Sequence, residues 1–500
     1  MQYQSTRDKS ISVSSAEAIK QGLSSEGGLF VPESFPTVTG AEIKALADMT
    51  YNERAKFILG KFLTDFTDEE LTKCVDSAYT KEKFGTNAIA PVYKMDDTVY
   101  VLELWHGPTC AFKDMALQIL PHLLTTSMKK TNEDKEVVIL VATSGDTGKA
   151  ALAGFQDVDG TRIIVFYPDN GVSEIQKLQM VTQEGNNVAV AAVRGNFDDA
   201  QNGVKKIFTD ETYKTLLERN KFSLSSANSI NWGRLVPQIV YYFSAYAELV
   251  KSGEIENGDE INVVVPTGNF GNILASYYAK KMGLPVRKFI CASNENNVLT
   301  EFIQTGVYNK NRPFHTTISP SMDILISSNL ERFLYDLTGC DDAAIRDLMT
   351  KLNTDGVYEV SDDVKAKMQS MFAAGCCNDS ETMAAIKRTA KKYDYVMDTH
   401  TAVAKAVYDE YVANTGDQTK TIIASTASPF KFNQSVLIAL EDHNVVVGKD
   451  EFTLLNELSE KSGMKIPESL AALKNKSVVF DLVCEKDEMQ QTVSDFLMVE

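Results

Sequence analysis

The 500-residue chain has few of the features that mark secreted, metal-binding or membrane proteins. Its seven scattered cysteines include no C-x-x-C pair, which argues against a zinc or redox site and fits reduced thiols. Apolar runs are short, as in VVILVA at 137–142, whereas a membrane helix needs ~20 apolar residues. The polar start, MQYQSTRDKS, has no apolar core of a secretory signal. These absences predict a cytoplasmic protein without a membrane partner.

Positive charge is also scarce, because 50 Lys and Arg face 68 Asp and Glu and leave a net charge of −18. Such an acidic surface repels phosphate backbones, so no nucleic-acid partner is expected. The five histidines show no metal-ligand spacing such as H-E-x-x-H, and no metal site is predicted. The charged fraction of 24% and the hydrophobic fraction of 44% are typical of a globular protein and argue against a disordered or coiled-coil chain.

What the chain does contain, from about residue 96, is an alternation of short apolar segments with helical patterns. Strands are predicted at 98–104, 137–142, 162–167, 187–193, 261–265, 287–291 and 421–424. Helices are predicted at 174–180, 198–208 and 273–281. The alternation predicts an α/β fold with parallel sheets covered by helices on both faces. Ligands of such sheets bind at the carboxyl ends of the strands, where the loops meet.

Changes in residue pattern along the sequence predict four parts of the chain. We predict an N-terminal domain over 1–95 and a large domain over 96–136 and 210–435. A smaller lobe is predicted over 137–209 and a C-terminal extension over 436–500. The smaller lobe is expected to move against the large domain and close the site, because reactive intermediates need protection from water.

Two glycine-rich loops each follow a predicted strand and precede a helix. GNFGN at 268–272 lets the backbone approach a ligand at a helix N-terminus, which suits a phosphate, although a plain turn explains the pattern equally well. TSGDTGK at 143–149 has two residues between its glycines where a Walker loop has four, so a kinase is not supported. Its hydroxyls and amides suit a carboxylate, or the loop is only a capped helix start.

Lys113 lies among apolar residues in HGPTCAFKD at 106–114. A lysine in such a setting usually extends its amine to water. The alternative is a buried amine, whose pKa is lowered and which can form a Schiff base with an aldehyde. The local sequence leaves both alternatives open.

Taken together, these motifs resemble those of threonine synthases. HGPTCAFKD is preceded by STR at 5–7 and GGLFVP at 27–32, and is followed in the family's order by TSGDTG, PTGNFGN, DTHTAVA and TASPFKF. The match runs from about residue 4 to 435 and suits the long fungal and microbial branch. The resemblance implies fold type II of the pyridoxal phosphate (PLP) enzymes, with two doubly wound parallel-sheet lobes, the N-terminal domain and the C-terminal extension.

The resemblance also implies roles for individual residues. Lys113 is the Schiff-base lysine, Thr426 bonds the pyridine nitrogen, and Asp146 lies near the 3′ oxygen of PLP. The residues implied to hold the PLP phosphate are Gly268, Asn269, Phe270, Gly271 and Asn272. Those implied to hold the substrate carboxylate are Ser144, Gly145 and Thr147, and those chosen for the substrate phosphate are Asn228, Asn231 and Arg234.

The implied reaction converts O-phospho-L-homoserine and water into L-threonine and phosphate, by γ-elimination and β-replacement at PLP. It is the last step of threonine biosynthesis, carried out by a carbon–oxygen lyase that acts on phosphates. The alternatives are a serine or threonine dehydratase of the same fold, or a catalytically silent, synthase-like binding protein. The expected assembly is a monomer or homodimer.

Overall fold

The fold is seen in a computed structural model that describes residues 1–143, 145–169 and 172–499, with only the backbone of Asp198. Within these residues the strands form four sheets, of which two are large and mainly parallel. Each of the seven cysteines is a free thiol. Among the helices in this part of the chain, none is both long enough and apolar enough to cross a membrane.

The larger sheet joins six strands of the described chain. Their order across the sheet is Phe372–Cys376, Val286–Ser293, Ile261–Pro266, Thr421–Ser425, Val99–Glu103 and Val92–Lys94. Neighbouring strands are parallel except for the last pair, which is antiparallel. The strand Ile261–Pro266 is buried at every position, as expected for a parallel strand covered on both faces. The predicted α/β fold is confirmed.

The smaller sheet joins five parallel strands of the described chain. Their order is Val483–Glu485, Val188–Arg194, Thr161–Pro168, Glu136–Ala142 and Phe222–Ser225. Two small antiparallel sheets complete the strands: Gln2–Ser5 with Ser12–Ser14 and Phe30–Pro32, and Val307–Asn309 with Val357–Glu359.

The helices cover the sheets and build the N-terminal domain. Those before residue 220 are Ser15–Gln21, Gly40–Ala45, Tyr51–Phe62, Asp68–Ala78, Lys81–Phe84, Asp114–Leu117, Leu120–Lys130, Asp146–Phe155, Glu174–Val181, Phe197–Thr209 and Glu211–Arg219. The later ones are Trp232–Lys251, Gly271–Met282, Val298–Thr305, Leu330–Leu337, Asp342–Thr354, Asp362–Met371, Asp379–Tyr393, Thr399–Thr415, Asn433–Leu440, Glu451–Ser462, Glu468–Ala471 and Met489–Leu497. Short 3-10 helices lie at Leu46–Asp48, Pro320–Met322, Pro429–Phe432, His443–Val446 and Ala472–Asn475.

Local sequence explains where many of these helices begin. The helix Tyr51–Phe62 follows Thr50, whose side chain accepts the N–H of Glu53 while the Glu53 carboxylate accepts the N–H of Thr50. The next helix, Asp68–Ala78, begins in the same way. Each reciprocal pair satisfies backbone groups that a helix end leaves without partners.

The long helix Trp232–Lys251 lies at the centre of the molecule and is buried almost throughout. Its first residue packs against rings from the N-terminal domain, with centroid separations of 5.3 Å to Tyr3 and 5.6 Å to Phe62. We did not predict this helix from the sequence, and Pro237, a residue that argues against a helix interior, lies within it. The burial of the helix fixes the N-terminal domain against the rest of the fold.

Two strands that the predicted boundaries place outside the smaller lobe pair with its sheet. Phe222–Ser225, which we placed in the large domain, pairs with residues 136–139 of the smaller sheet. Val483–Glu485, which we placed in the extension, pairs with residues 192–194 of the same sheet. Both strands are short, and their pairing depends on distant partners that local pattern does not reveal. The remaining boundaries of the four parts stay a prediction.

Candidate active site

The site is built around the turn that carries Lys113. Its backbone lies against the loop that follows the strand Thr421–Ser425, because the Phe112 N–H donates to the Thr426 carbonyl at 2.8 Å. Asp114 closes the turn by accepting the N–H of Thr109 at 2.8 Å and its hydroxyl at 2.7 Å. The two predicted site residues Lys113 and Thr426 are thereby brought side by side.

Of the two alternatives for Lys113, the structure shows the buried amine. The side chain is only 13% exposed, and its Nζ donates to Ser321 Oγ at 3.3 Å and lies 3.9 Å from Asp146 Oδ2. Burial lowers the pKa of Lys113 to about 8, although the charge of Asp146 opposes this. The positive charges of Lys431 and Arg234 lower this pKa further. A large share of the amine is therefore neutral near pH 8 and able to act as a nucleophile.

Asp146, at the start of the helix Asp146–Phe155, faces a second lysine. Its Oδ1 accepts from Lys431 Nζ at 2.5 Å and from Gln176 Nε2 at 3.0 Å. Burial alone raises the pKa of Asp146, but the ammonium groups of Lys431 and Lys113 outweigh it and hold this pKa well below its usual value. Sequence reasoning missed Lys431 and Gln176, although TASPFKF contains the former.

The loop 268–272 forms a tight cradle at the start of the helix Gly271–Met282. A Cβ atom at Gly268 would lie 2.6 Å from the Ser321 carbonyl oxygen, so only glycine fits. Phe270 takes a left-handed conformation with φ of 64° and is buried against the rings of Phe333 and Phe372. This packing holds the loop in place.

The residues present fit PLP, the group implied by the resemblance. The N–H groups of the first helical turn after the cradle have no partners within the helix and suit a phosphate. Asn272 Oδ1 accepts from Tyr241 and Tyr242, while its buried Nδ2 has no hydrogen-bond partner among the described residues. A lysine amine that loses its proton readily, and a glycine loop at a helix start, suit the aldehyde and the phosphate of PLP.

The segment 319–329 covers the cradle and reaches Lys113. The backbone N–H of Ser321 donates to His400 Nε2 at 3.1 Å. His400 Nδ1 in turn donates to Asp398 at 2.9 Å. Ser327 Oγ donates to the Gly268 carbonyl at 2.7 Å. DTHTAVA at 398–404 thus positions Ser321, which sequence reasoning missed because no local pattern marks it.

The STR motif at 5–7 supports the same segment from outside. Arg7 pairs with Glu331 through Nε at 2.9 Å and Nη2 at 2.7 Å, and Thr6 Oγ1 donates to Glu331 Oε1 at 2.6 Å. The helix Leu330–Leu337 begins one residue after Asn329, whose N–H donates to the Asn269 carbonyl at 3.1 Å. The N-terminal motif therefore anchors the helix that follows the contact with the loop 268–272.

The residues chosen for the substrate phosphate differ in their surroundings. Arg234 is buried, its Nη1 donates to the Ala227 carbonyl at 2.5 Å, and its Nε has no partner among the described residues. Asn228 is exposed. Asn231 caps the helix Trp232–Lys251, and its Nδ2 donates to the carbonyls of Ile19 and Ser226. Of the three, Arg234 has a buried donor without a partner among the described residues.

The residues implied to bind the substrate carboxylate lie next to Asp146. Gly145 has φ of 140°, and a Cβ there would lie 2.5 Å from the side chain of Gln176. Its N–H donates to Thr143 Oγ1 at 2.9 Å, and Thr147 is half-buried. Ser144 lies outside the described residues. Carboxylate binding by this loop stays a prediction.

Comparison with known families covers nearly the whole chain. A family model described as "Threonine synthase N terminus" matches residues 2–79, and one described as "Pyridoxal-phosphate dependent enzyme" matches residues 86–426. A third, described as "Threonine synthase, C-terminal", matches residues 401–491. The three regions follow one another along the chain and together include every predicted site residue.

Individual relatives give the same result. Threonine synthase-like 1 of Homo sapiens is 43% identical over 436 residues, which cover 85% of this chain and 58% of that protein. Threonine synthase of Methylobacillus glycogenes is 38% identical over 451 residues, covering 88% of this chain and 92% of that protein. The crystal structure of PLP-bound threonine synthase from Brucella melitensis is 34% identical, with a TM-score of 0.88 over 99% of both chains. The chain thus spans under two thirds of the human relative but nearly all of the bacterial ones.

Proposed function

The chain belongs to the threonine synthase family of pyridoxal-phosphate-dependent enzymes, and we propose that it converts O-phospho-L-homoserine and water into L-threonine and phosphate. Its fold is type II of the PLP enzymes. One observation carries the proposal. The buried amine of Lys113 lies between Asp146 and Ser321, beside a glycine cradle at a helix start. This pairs a nucleophilic amine with a phosphate site, as the reaction requires.

Each residue assigned to the cofactor is proposed to contact a particular part of PLP. When bound, PLP supplies an aldehyde that joins an amine and a conjugated ring that takes up negative charge from the substrate carbon. Lys113 would bond the aldehyde carbon, Thr426 would hydrogen-bond the ring nitrogen, and Asp146 would lie near the 3′ oxygen. The residues that would bind the phosphate are those of the cradle, Gly268, Asn269, Phe270, Gly271 and Asn272.

Lys113 is also the base that moves protons. Once the substrate's amine has taken its place, the free amine of Lys113 takes the Cα proton and later carries protons at Cβ and Cγ. A pKa of about 8 suits both uptake and release of a proton near neutral pH. Thr426 offers a neutral hydroxyl rather than a carboxylate, which favours elimination and replacement over transamination.

Other side chains orient the substrate and exclude water. We assign the substrate phosphate to Arg234, supported by its free, buried Nε, with Asn228 and Asn231 as further donors. We assign binding of the substrate carboxylate to Ser144, Gly145 and Thr147. Closure of the smaller lobe keeps bulk water out until the step at Cβ, because early loss of the intermediate gives a keto acid instead of threonine.

We extend the proposal to the enzyme's location, substrate class and oligomeric state. It acts in the cytoplasm on a small molecule, as a monomer or a homodimer. No nucleic-acid partner is proposed, since a surface with a net charge of −18 does not attract nucleic acids. Gel filtration with light scattering gives the assembly directly, and a larger oligomer would contradict it.

The experiment is a product assay on the purified full chain with added PLP. O-phospho-L-homoserine should give threonine and inorganic phosphate in equal amounts, and K113A should give neither. L-serine and L-threonine are tested as substrates in parallel. Keto acid from these, without threonine from the phosphorylated substrate, would show a dehydratase. Bound PLP without turnover of any of the three would show a silent binding protein.

A further inference from the structure

The reaction as proposed leaves one buried lysine without a role. The side chain of Lys431 is fully buried, an uncommon position for a lysine, since a buried charge requires a partner. Its Nζ lies 2.5 Å from Asp146 Oδ1 and donates to the Thr109 carbonyl at 2.9 Å. Both partners belong to loops of the candidate active site.

Lys431 and Lys113 share one carboxylate. Asp146 presents Oδ1 to Lys431 and Oδ2 to Lys113, at 2.5 and 3.9 Å. If Asp146 had Lys113 as its only cation, release of the Lys113 proton would leave a buried carboxylate without a counter-charge. Such a state is costly, so the proton would be held more tightly. With Lys431 in place, the carboxylate keeps a cation when Lys113 becomes neutral.

We propose that Lys431 is a positioning residue, which holds the Asp146 carboxylate in its ionised form beside Lys113 and thereby lets the Lys113 amine give up its proton near neutral pH. The inference rests on the proposed function only in taking Lys113 as the reacting amine. It assigns to Lys431 no contact with substrate or PLP.

The other charges around the two lysines do not replace this role. Besides Asp146 and Lys431, the groups that act on Lys113 are Arg234 and Asp114. Asp114 is engaged by both polar groups of Thr109, and Arg234 adds positive charge rather than neutralising a carboxylate. The charge of Lys431 also acts to lower the pKa values of Asp114, Cys110 and Lys149. Among these groups, only Lys431 lies within ion-pair distance of Asp146 on the side away from Lys113.

The test measures the proton affinity of Lys113 without substrate or turnover. The full chain is freed of PLP, pulsed with acetic anhydride over a range of pH, and the acetylation of Lys113 is followed by peptide mass spectrometry. The wild type should give a midpoint of about 8. K431M and K431Q remove the positive charge and should raise the midpoint by about one to two pH units. K431R keeps the charge and should stay close to the wild type.

A matched control is available in the same domain. Lys405 is another buried lysine paired with one carboxylate, that of Asp409 at 2.5 Å, and K405M should leave the Lys113 midpoint unchanged. K431Q retains an amide that can donate to the oxygens now bound by Lys431, so it remains testable if K431M fails to fold. D146N should shift the midpoint in the opposite direction, to lower pH.

The outcomes separate this inference from the proposed function. An unchanged midpoint in the uncharged Lys431 variant would overturn the role of Lys431, even if the wild type makes threonine. A raised midpoint supports it, even if the chain makes no threonine and the proposed function fails. A K431R midpoint that moves as far as that of K431Q would show that shape, rather than charge, is what matters, and would also overturn the inference.

Discussion

Removal of the Glu331 carboxylate should destabilise the protein and loosen the phosphate cradle. Glu331 is 5% exposed and accepts two bonds from Arg7 and one from Thr6, whereas Arg7 is 24% exposed. Breaking a fully buried ion pair from one side costs about 3–5 kcal/mol. Because water reaches Arg7 and can hydrate it again, we expect about 2–3 kcal/mol for E331A.

The assay is urea unfolding followed by circular dichroism, with D347N as the control. Asp347 pairs with Lys351 on the next helix, but both side chains are about half exposed or more, so little change is expected there. The double variant R7A/E331A should lose less than the sum of the two single variants, because the pair is already broken. If E331A unfolds at the same urea concentration as D347N, the STR motif does not anchor the cradle and this reasoning is refuted.

Three further perturbations test other parts of the site. G268A should lower PLP affinity about tenfold or more in a fluorescence titration, because a Cβ clashes with the Ser321 carbonyl and overpacking costs about 1–3 kcal/mol. G40A, whose Cβ meets no such clash, is the control. Burial raises the pKa of Asp114 from 3.8 to about 6, so the folded state holds this proton more tightly and loses stability as pH rises from about 4 to 6. In urea melts D114N should remove this part of the fall, and an identical pH dependence would contradict the assignment. T426D should raise the ratio of transamination products to threonine, measured by chromatography; an unchanged ratio would exclude Thr426 from the ring nitrogen.

The sequence predicted the parts of the fold whose local pattern is decisive. The strand Glu136–Ala142 was predicted at 137–142, because a parallel strand buried on both faces is apolar at nearly every position. The helix Trp232–Lys251 was missed although its polar residues recur at helical spacing, since Pro237 lies within it and proline argues against a helix interior. Residues 222–225 were assigned to the large domain, whereas they pair with the smaller sheet, because pairing between distant segments leaves no local trace.

The candidate site shows the same limit. Lys113 and the cradle 268–272 were predicted only when the family resemblance was added, because each motif alone left a second interpretation open. Ser321 was not, because it lies in a segment without periodic pattern and reaches Lys113 only through the fold. Lys431 was quoted within TASPFKF but given no role, since nothing near it shows that it is buried against Asp146. The family resemblance pointed to Lys113 as the reacting group, whereas its electrostatic surroundings required the structure.

The most direct test of the central claim is to find which side chain carries the cofactor. The purified chain with PLP should be yellow, and borohydride reduction followed by peptide mass spectrometry should place the cofactor on Lys113. Because Lys431 lies in the same site, the method must resolve the peptides of both lysines. Label on Lys431 or on any other residue, or a colourless protein that takes up no PLP, would contradict the account.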